Sequence, residues 1–517
     1  MKPIRLVAGF LTVGFWTLMS RILGFVRDIV FAAKLGDGPV AEAFLIAFSL
    51  PNMFRRFFAE GAFNMAFVPM FSKKLETGED PKTFANDAFS GLAGVLIILT
   101  LLAQAAMPWL VMAMASGFRG DERFDLAVDF GRIAFPYILF ISLAALLSGV
   151  LNATGRFVAA AAAPVLLNII LVSAMVMAEI TGGDFGTWLI WGVPIAGIAQ
   201  MMLVWTAAFR AGFRLVPRRP RLTPELKRLA KIAAPAMLAG GVVQINLLVG
   251  RQVASYFEGA IQYLNLADRL YQLPLGVVAI AIGVVLLPDL SRRLAAGDTT
   301  GGQDALNRAA EFALLLTLPA SVALVLIPEP IVSVLYQRGA FGEQAAARTA
   351  IVTAIYGAGL PAFVLQKVFQ PLYFARHDTK TPFYYALVAM VLNAAIAIGG
   401  AIYFGFYAAA WATTLAGWAM VALLWAGSRS MGEAAVLDAR LKRRAVRILA
   451  ACAVMGACLL GTEAILGDVL YQDGIRYVAL LLLVGVGIVS YFAAAQVLGA
   501  TNLGEMHRSM RRARKVE

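Results

Sequence analysis

The sequence predicts an all-α integral membrane protein with fourteen transmembrane helices: two six-helix lobes related by pseudo-twofold symmetry, plus two extra C-terminal helices. Three observations carry this prediction. Of 517 residues, 60% are hydrophobic and 15% charged, with a mean hydropathy of +0.77, whereas a soluble domain carries about 25% charged residues. The apolar stretches are long and continuous rather than alternating, which selects helices over a closed β-barrel. Finally, short motifs recur in the two halves of the chain at offsets of 219 and 225 residues.

A bilayer-crossing helix takes about 20 mostly apolar residues. Such segments fall near 5–34, 39–72, 84–114, 128–154, 158–180, 187–211, 227–257, 260–296, 306–330, 346–376, 381–403, 407–430, 444–466 and 472–499. The first follows Lys2 and Arg5 as a signal peptide would. No small-residue cleavage site comes after it, however, and the run continues into Arg21, so it reads as a retained helix. The second holds Pro51 and Gly61 and is expected to bend. The sixth is followed from Gly212 by "GFRLVPRRPRLTPELKRLAKIAAP", which reads as a Pro/Arg-rich strap and a short basic helix, tethered to anionic lipid heads. Cys452 and Cys458 are six apart on the thirteenth segment, about 240° around a helix, and read as packing residues without redox or metal roles.

Lysine and arginine placement tests the count, because short cytoplasmic loops are enriched in both. With the N-terminus inside, the inner segments hold thirty of the 44 basic residues and the outer loops six: Lys34, Arg119, Arg123, Arg338, Arg348 and Arg476. Both termini are then cytoplasmic, and the net charge of +13 reflects orientation rather than nucleic-acid binding. The repeat pairs "PMFSKKL" from Pro69 with "PDLSRRL" from Pro288, and "VLLN" ending at Asn168 with "MVLN" ending at Asn393. Helices 1–6 (1–211) and 7–12 (227–430) are thus two copies joined by a basic linker (212–226). Helices 13–14 (431–499) and a basic tail (500–517) follow. Both copies start from the same side, so the axis lies along the membrane normal and a site between the halves is expected.

Eight basic residues remain at membrane depth: Arg21, Arg27, Arg55, Arg56, Arg132, Arg251, Arg269 and Lys367. Each costs roughly 2.5–3.5 kcal/mol near the bilayer centre unless paired or wet. Arg21 and Asp28 are seven apart and share a helix face, so Asp28 is expected to brace Arg21, leaving Arg27, about 120° away from Arg21, unengaged. On the second helix Arg56 stacks on Glu60 four residues on, and Glu42 lies on the same stripe. Arg56 is therefore expected to be structural and Arg55 to face a cavity. Against eight cations stand chiefly Asp28, Glu42, Glu60 and Asp268, a surplus of about four charges that calls for an anionic guest.

The stretches "SRILGFVRD", "AFLIAFSLPNMFRRFFAEGAFNMAFVPMFSKKLE", "FPYILFISLAALLSGVLNATGRF", "LADRLYQLPLGVVAIAIGVVLLPDLSR" and "YFARHDTKTP" resemble the MviN/MurJ family of lipid II flippases, within the multidrug/oligosaccharidyl-lipid/polysaccharide exporter superfamily. The resemblance implies two six-helix lobes around a cationic cavity, with helices 13 and 14 forming a groove for the lipid tail. By motif position it places the substrate-binding arginines at Arg21, Arg27, Arg55 and Arg269, with acidic positions at Glu42 and Glu60; members often have Asp where this chain has Glu42. Some members bind Na+, for which Asn246, Asp378 and Thr381 offer oxygen atoms in the right region.

The substrate so implied is undecaprenyl-diphosphate carrying the peptidoglycan disaccharide-pentapeptide, moved by alternating access from the inner to the outer leaflet of the bacterial cytoplasmic membrane for cell-wall synthesis. Membrane lipids and the cell-wall synthesis machinery are the implied partners. Guanidinium forks hold phosphate oxygens in a bidentate way. An anion moving outward gains roughly 2.3 kcal/mol per charge per 100 mV, so membrane potential or Na+ can drive transport; no G-x-x-x-x-G-K-[ST] loop is present. The competing reading within the superfamily is a carrier of another lipid-linked oligosaccharide; a cationic drug does not suit the cavity's sign. A membrane enzyme on polyprenyl diphosphate needs clustered carboxylates for a metal or a nucleophile with a base. The sequence shows neither at depth, so no catalytic residue is assigned.

Overall fold

The computed structural model describes residues 3–56 and 62–501, and among them the chain forms seventeen α-helices. They are α1 (Pro3–Leu35), α2 (Pro39–Arg55), α3 (Ala62–Thr77), α4 (Pro81–Met114), α5 (Glu122–Ala134), α6 (Tyr137–Ala153), α7 (Val158–Thr181), α8 (Phe185–Arg210) and α9 (Pro224–Ser255). There follow α10 (Ala260–Ala295), α11 (Thr299–Leu326), α12 (Pro328–Tyr336), α13 (Glu343–Phe374), α14 (Lys380–Phe404), α15 (Tyr407–Ser428), α16 (Ala439–Leu466) and α17 (Arg476–Val497). Each of the fourteen apolar segments coincides with one described helix or with two in succession. Ten stretches of the described residues are long and apolar enough to cross a membrane by length and composition.

The second segment holds α2 and α3, and 57–61 between them lie outside the described residues. Two breaks have local causes. The fourth segment is α5 and α6, parted at Phe135–Pro136, where proline supplies no N–H to the ladder. The ninth stops at Ile327 before "PEP" and restarts as α12. Helix starts follow side-chain caps: Asp80, Asp184, Thr223, Asp298 and Asp438 accept the N–H of Thr83, Thr187, Leu226, Gly301 and Leu441.

Contacts divide the chain into two compact units, Met1–Gln262 with Arg338–Phe341, and Tyr263–Gln337 with Gly342–Glu517. In the first, α1 packs on α7, α7 and α6 on α8, α2 on α5, and α9 on α3 and α4. The end of α9 is fastened there: Gln252 Oε1 accepts from Ser116 N at 2.8 Å, and Ser255 Oγ from Gly117 N at 3.0 Å. The turn Arg338–Phe341 also belongs to this unit, with Ala340 N donating to Ala33 O at 2.8 Å. Glycine is required on both sides of that contact. Gly36 and Gly339 have φ of +61° and +55°, and a Cβ on either would lie 2.5 or 2.2 Å from the facing carbonyl.

The strap from Gly212 is bound to protein rather than held only by lipid heads. Val216 N donates to Asn86 Oδ1 and Arg218 N to Ser90 Oγ, both at 2.9 Å, on buried faces of α4. The expected short basic helix is the first part of α9, continuous to Ser255.

In the second unit α13 packs on α11 and α15, α14 on α15, and α16 on α11 and α17. Ile448, Cys452, Met455, Leu459, Leu483 and Tyr491 build a core between α16 and α17, and Tyr491 Oη donates to Leu315 O at 2.7 Å. Part of the basic segment at α16 is spent on ion pairs. Buried Glu311 on α11 takes Arg308 at 2.5 Å, Arg444 at 2.9 Å and Arg440 at 3.5 Å, while Asp438 takes Arg308.

Candidate functional site

The "SRILGFVRD" stretch lies within α1, and its pairing is the reverse of the expected one. Asp28 does not brace Arg21. It binds Arg27, with Nε and Nη2 of Arg27 at 3.1 and 2.6 Å from Asp28 Oδ1. Sharing a face is not sharing a contact: seven residues rise about 10.5 Å along a helix, farther than an arginine can cover to reach a short aspartate. An arginine adjacent in sequence folds its guanidinium around to its neighbour instead. Arg27 Nη1 also donates to Asn168 Oδ1 at 3.1 Å, and Asn168 Nδ2 donates to Ser20 O at 3.0 Å. Asn168, on α7 and 5% exposed, thereby ties α7 to α1 on either side of Arg21. Arg21 itself is exposed and makes no hydrogen bond or ion pair with a described residue.

Glu42 is likewise not a partner for Arg56. Its Oε2 accepts from Arg123 Nη1 at 2.8 Å and its Oε1 from Ile261 N at 3.1 Å. Arg123, counted above as an outer-loop charge, is buried: its side chain is 7% exposed and that of Glu42 1%. Asp121 holds the other edge of the guanidinium, 2.6 Å from Nε and 2.5 Å from Nη2. The ring of Phe118 lies 4.4 Å beneath it. A carboxylate buried this deeply needs a cation, but the sequence carried no signal that the cation is Arg123. Asn168 was visible only as a member of the repeat.

Arg55, at the end of α2, is half-buried and Arg56 is exposed; Glu60 lies outside the described residues. Arg269 stands half-buried on α10 in the second unit, one residue after Asp268, whose carboxylate accepts from Gln272. On α13, Lys367 is exposed and has no hydrogen bond or ion pair with a described residue. Arg132 is exposed and sits 3.7 Å from Asp129.

Of the oxygen donors considered for Na+, Asp378 accepts from Thr381 N at 3.0 Å at the start of α14. The backbone N–H and hydroxyl of Thr381, with Lys380 nearby, hold this carboxyl below its usual range. The side chain of Asn246 lies outside the described residues. Among the described residues no group of three or more His, Cys, Asp or Glu is placed to hold a metal ion.

The arrangement offers cations on helices of membrane length, one of them braced and one of them without a partner among the described residues, within two turns of α1. That is chemistry for an anion. Comparison with known proteins points to one family. The sequence profile described as "Lipid II flippase MurJ" matches residues 31–478. A probable lipid II flippase MurJ of Rhizobium meliloti (strain 1021) is 44% identical over 519 residues, 98% of this chain and 97% of that protein. One from Rhizobium tropici is 42% identical over 525 residues, 99% of this chain and 98% of that protein. Among solved structures, a lipid II flippase MurJ in an inward closed conformation superposes with a TM-score of 0.77 at 25% identity, covering 94% of this chain and 98% of that one. An inward-facing multidrug resistance MATE family transporter shares the fold, with a TM-score of 0.65 at 15% identity over 82% of this chain and 98% of that one.

Proposed function

Since this chain belongs to the lipid II flippase MurJ family, we infer how its own residues serve that activity. The protein is a multi-pass membrane transporter, not an enzyme, and its substrate is lipid II. The observation that carries the residue-level reading is the contrast on α1 between Arg27, held by Asp28 and Asn168, and Arg21, exposed without a described partner. Arg27 is a donor fixed in advance and loses little freedom on meeting a phosphate; Arg21 supplies unspent charge that adjusts to the ligand.

In this reading the diphosphate is neutralised by Arg21, Arg27, Arg55 and Arg269. The protein lies in the bacterial cytoplasmic membrane with both termini inside, supported by the distribution of its lysines and arginines. The membrane potential drives the outward passage of negative charge, worth roughly 2.3 kcal/mol per charge per 100 mV; Na+ coupling is the alternative. The polyprenyl tail runs along α16 and α17, and the product is handed to the cell-wall synthesis machinery. The test is depletion of the protein followed by measurement of labelled lipid II in each leaflet. The reading expects lipid II to be trapped inside and released by the wild-type chain but not by Arg21→Ala. Full rescue by Arg21→Ala would overturn the role given to Arg21.

A further inference from the structure

The Glu42–Arg123–Asp121 assembly is placed at the corner where α9 gives way to α10. Ile261 is in the first turn of α10, where backbone N–H groups have no partner within the helix. Glu42 Oε1 supplies that partner at 3.1 Å, while Oε2 stays on Arg123 at 2.8 Å. Asp121 fixes the other edge of the guanidinium, and its Oδ1 also accepts from Arg123 N at 2.7 Å. The same corner is fastened a second time through Gln252 and Ser255 to the turn at Ser116–Gly117.

We propose that Arg123 is a positioning residue of the transport cycle: it holds the Glu42 carboxylate in place so that its second oxygen captures Ile261 N–H and keeps the α9–α10 corner seated on α2 and α5. The planar fork of arginine suits this task because it grips two carboxylates in fixed directions, which a lysine ammonium cannot do. When the corner lets go, the Glu42–Arg123 pair remains whole. Glu42 therefore keeps its charge and its aim, and the corner closes again onto a preformed acceptor. The corner releases through a neutral backbone donor and no buried charge is stranded, which makes it the detachable part of the assembly.

This proposal rests on the flippase reading only for the reason that the corner must open; its test is made without lipid II. Ala254, in the last turn of α9, is fully buried, and Ala254→Cys in a Cys452→Ala, Cys458→Ala background reports corner opening through a membrane-impermeant maleimide. Arg123→Gln is expected to raise the labelling rate by about tenfold, the loss of one hydrogen bond to a charged group. Arg123→Lys is expected to fall in between and serves if the glutamine variant folds poorly. Ile261→Pro removes the donor at a helix start, where proline is tolerated, and is expected to raise labelling by a similar factor.

The decisive measurement is the double variant. If Arg123 acts through Glu42 on Ile261 N–H, Arg123→Gln adds nothing once proline is at 261, so the effects do not multiply. A residue that only packed α5 against α2 would give effects that multiply. Multiplying effects, or wild-type labelling in Arg123→Gln and Arg123→Lys, overturn the proposal. This labelling pattern in a chain whose wild type moves no lipid II would instead count against the assignment of substrate and leave the role of Arg123 standing.

Discussion

Arg21 and Arg27 are two turns or less apart on one helix, yet the structure predicts opposite consequences for removing their surroundings. Asp28→Asn keeps the shape of the side chain and removes the charge that faces Arg27 at 2.6 Å, where the two side chains are 12% and 7% exposed. Breaking a buried ion pair from one side costs about 3–5 kcal/mol. Arg27 retains Asn168 at 3.1 Å and some access to water, which places the expected loss at about 3 kcal/mol, roughly 100-fold in a population. Asn168→Ala removes one hydrogen bond to a charged group and is expected to cost about 1.5 kcal/mol. Arg21→Ala touches no described partner, so its stability should stay within about 0.5 kcal/mol of wild type while transport is lost. The assay pairs thermal unfolding of the purified protein in detergent, followed by tryptophan fluorescence, with the leaflet distribution of labelled lipid II. Equal destabilisation by Arg21→Ala and Asp28→Asn, or a fully stable Asp28→Asn, would refute the division between a braced and an unspent arginine.

Other consequences follow from contacts outside α1. Glu311→Ala leaves Arg308, Arg440 and Arg444 without their shared buried carboxylate and is expected to cost about 3 kcal/mol or more, read as a lower unfolding temperature and a smaller yield of folded protein. Asn86→Ala and Ser90→Ala each orphan a strap N–H; each should cost about 1–3 kcal/mol of local stability and speed tryptic cleavage at Arg218 and Arg221. The Asp378 carboxyl is held below its ordinary value of 3.8, so the support it gives the start of α14 is present above that pH and fades as pH falls through the lower folded value. Faster amide exchange at Thr381, relative to a neighbouring helix start, is the expected signature in acid, and Asp378→Asn should abolish that pH dependence.

Long apolar runs located all ten described stretches that are long and apolar enough to cross a membrane, because the bilayer imposes a similar length on each of them. Proline-linked breaks at Phe135–Pro136 and Ile327 were not separated, since both flanks remain apolar and the hydropathy signal runs through the gap. Pairing was harder to read. A helical wheel compresses the axis, so it put Arg21 and Asp28 together and missed that a neighbour one residue away can fold onto a carboxylate more easily than a residue two turns off. Charge sign along the chain was read as sidedness, and it classed Arg123 with the solvent-facing loops. The buried Glu42, 1% exposed, required a cation nearby, but nothing in the spacing told that Arg123, 81 residues away, would meet it.

The cations expected at membrane depth are therefore not one population. Arg27 is already compensated by Asp28 and Asn168, and Glu42 neutralises Arg123, an arginine outside the original eight. The carboxylates expected to offset the cavity cations are thus partly committed elsewhere, which leaves Arg21 and Lys367 with even less protein charge to meet. A site made wholly of unspent cations would collapse onto water, counterions or the nearest carboxylate between turnovers; one made wholly of paired cations would have nothing to offer a diphosphate. Combining a fixed donor with an unspent one gives geometry from the first and net attraction from the second. A lysine at position 27 separates these contributions: Arg27→Lys keeps the charge but loses the fork that reaches Asp28 and Asn168 together, so transport should fall although the charge count is unchanged. If charge alone sufficed, Arg27→Lys would transport as wild type, and the bracing by Asn168 would be structural and nothing more.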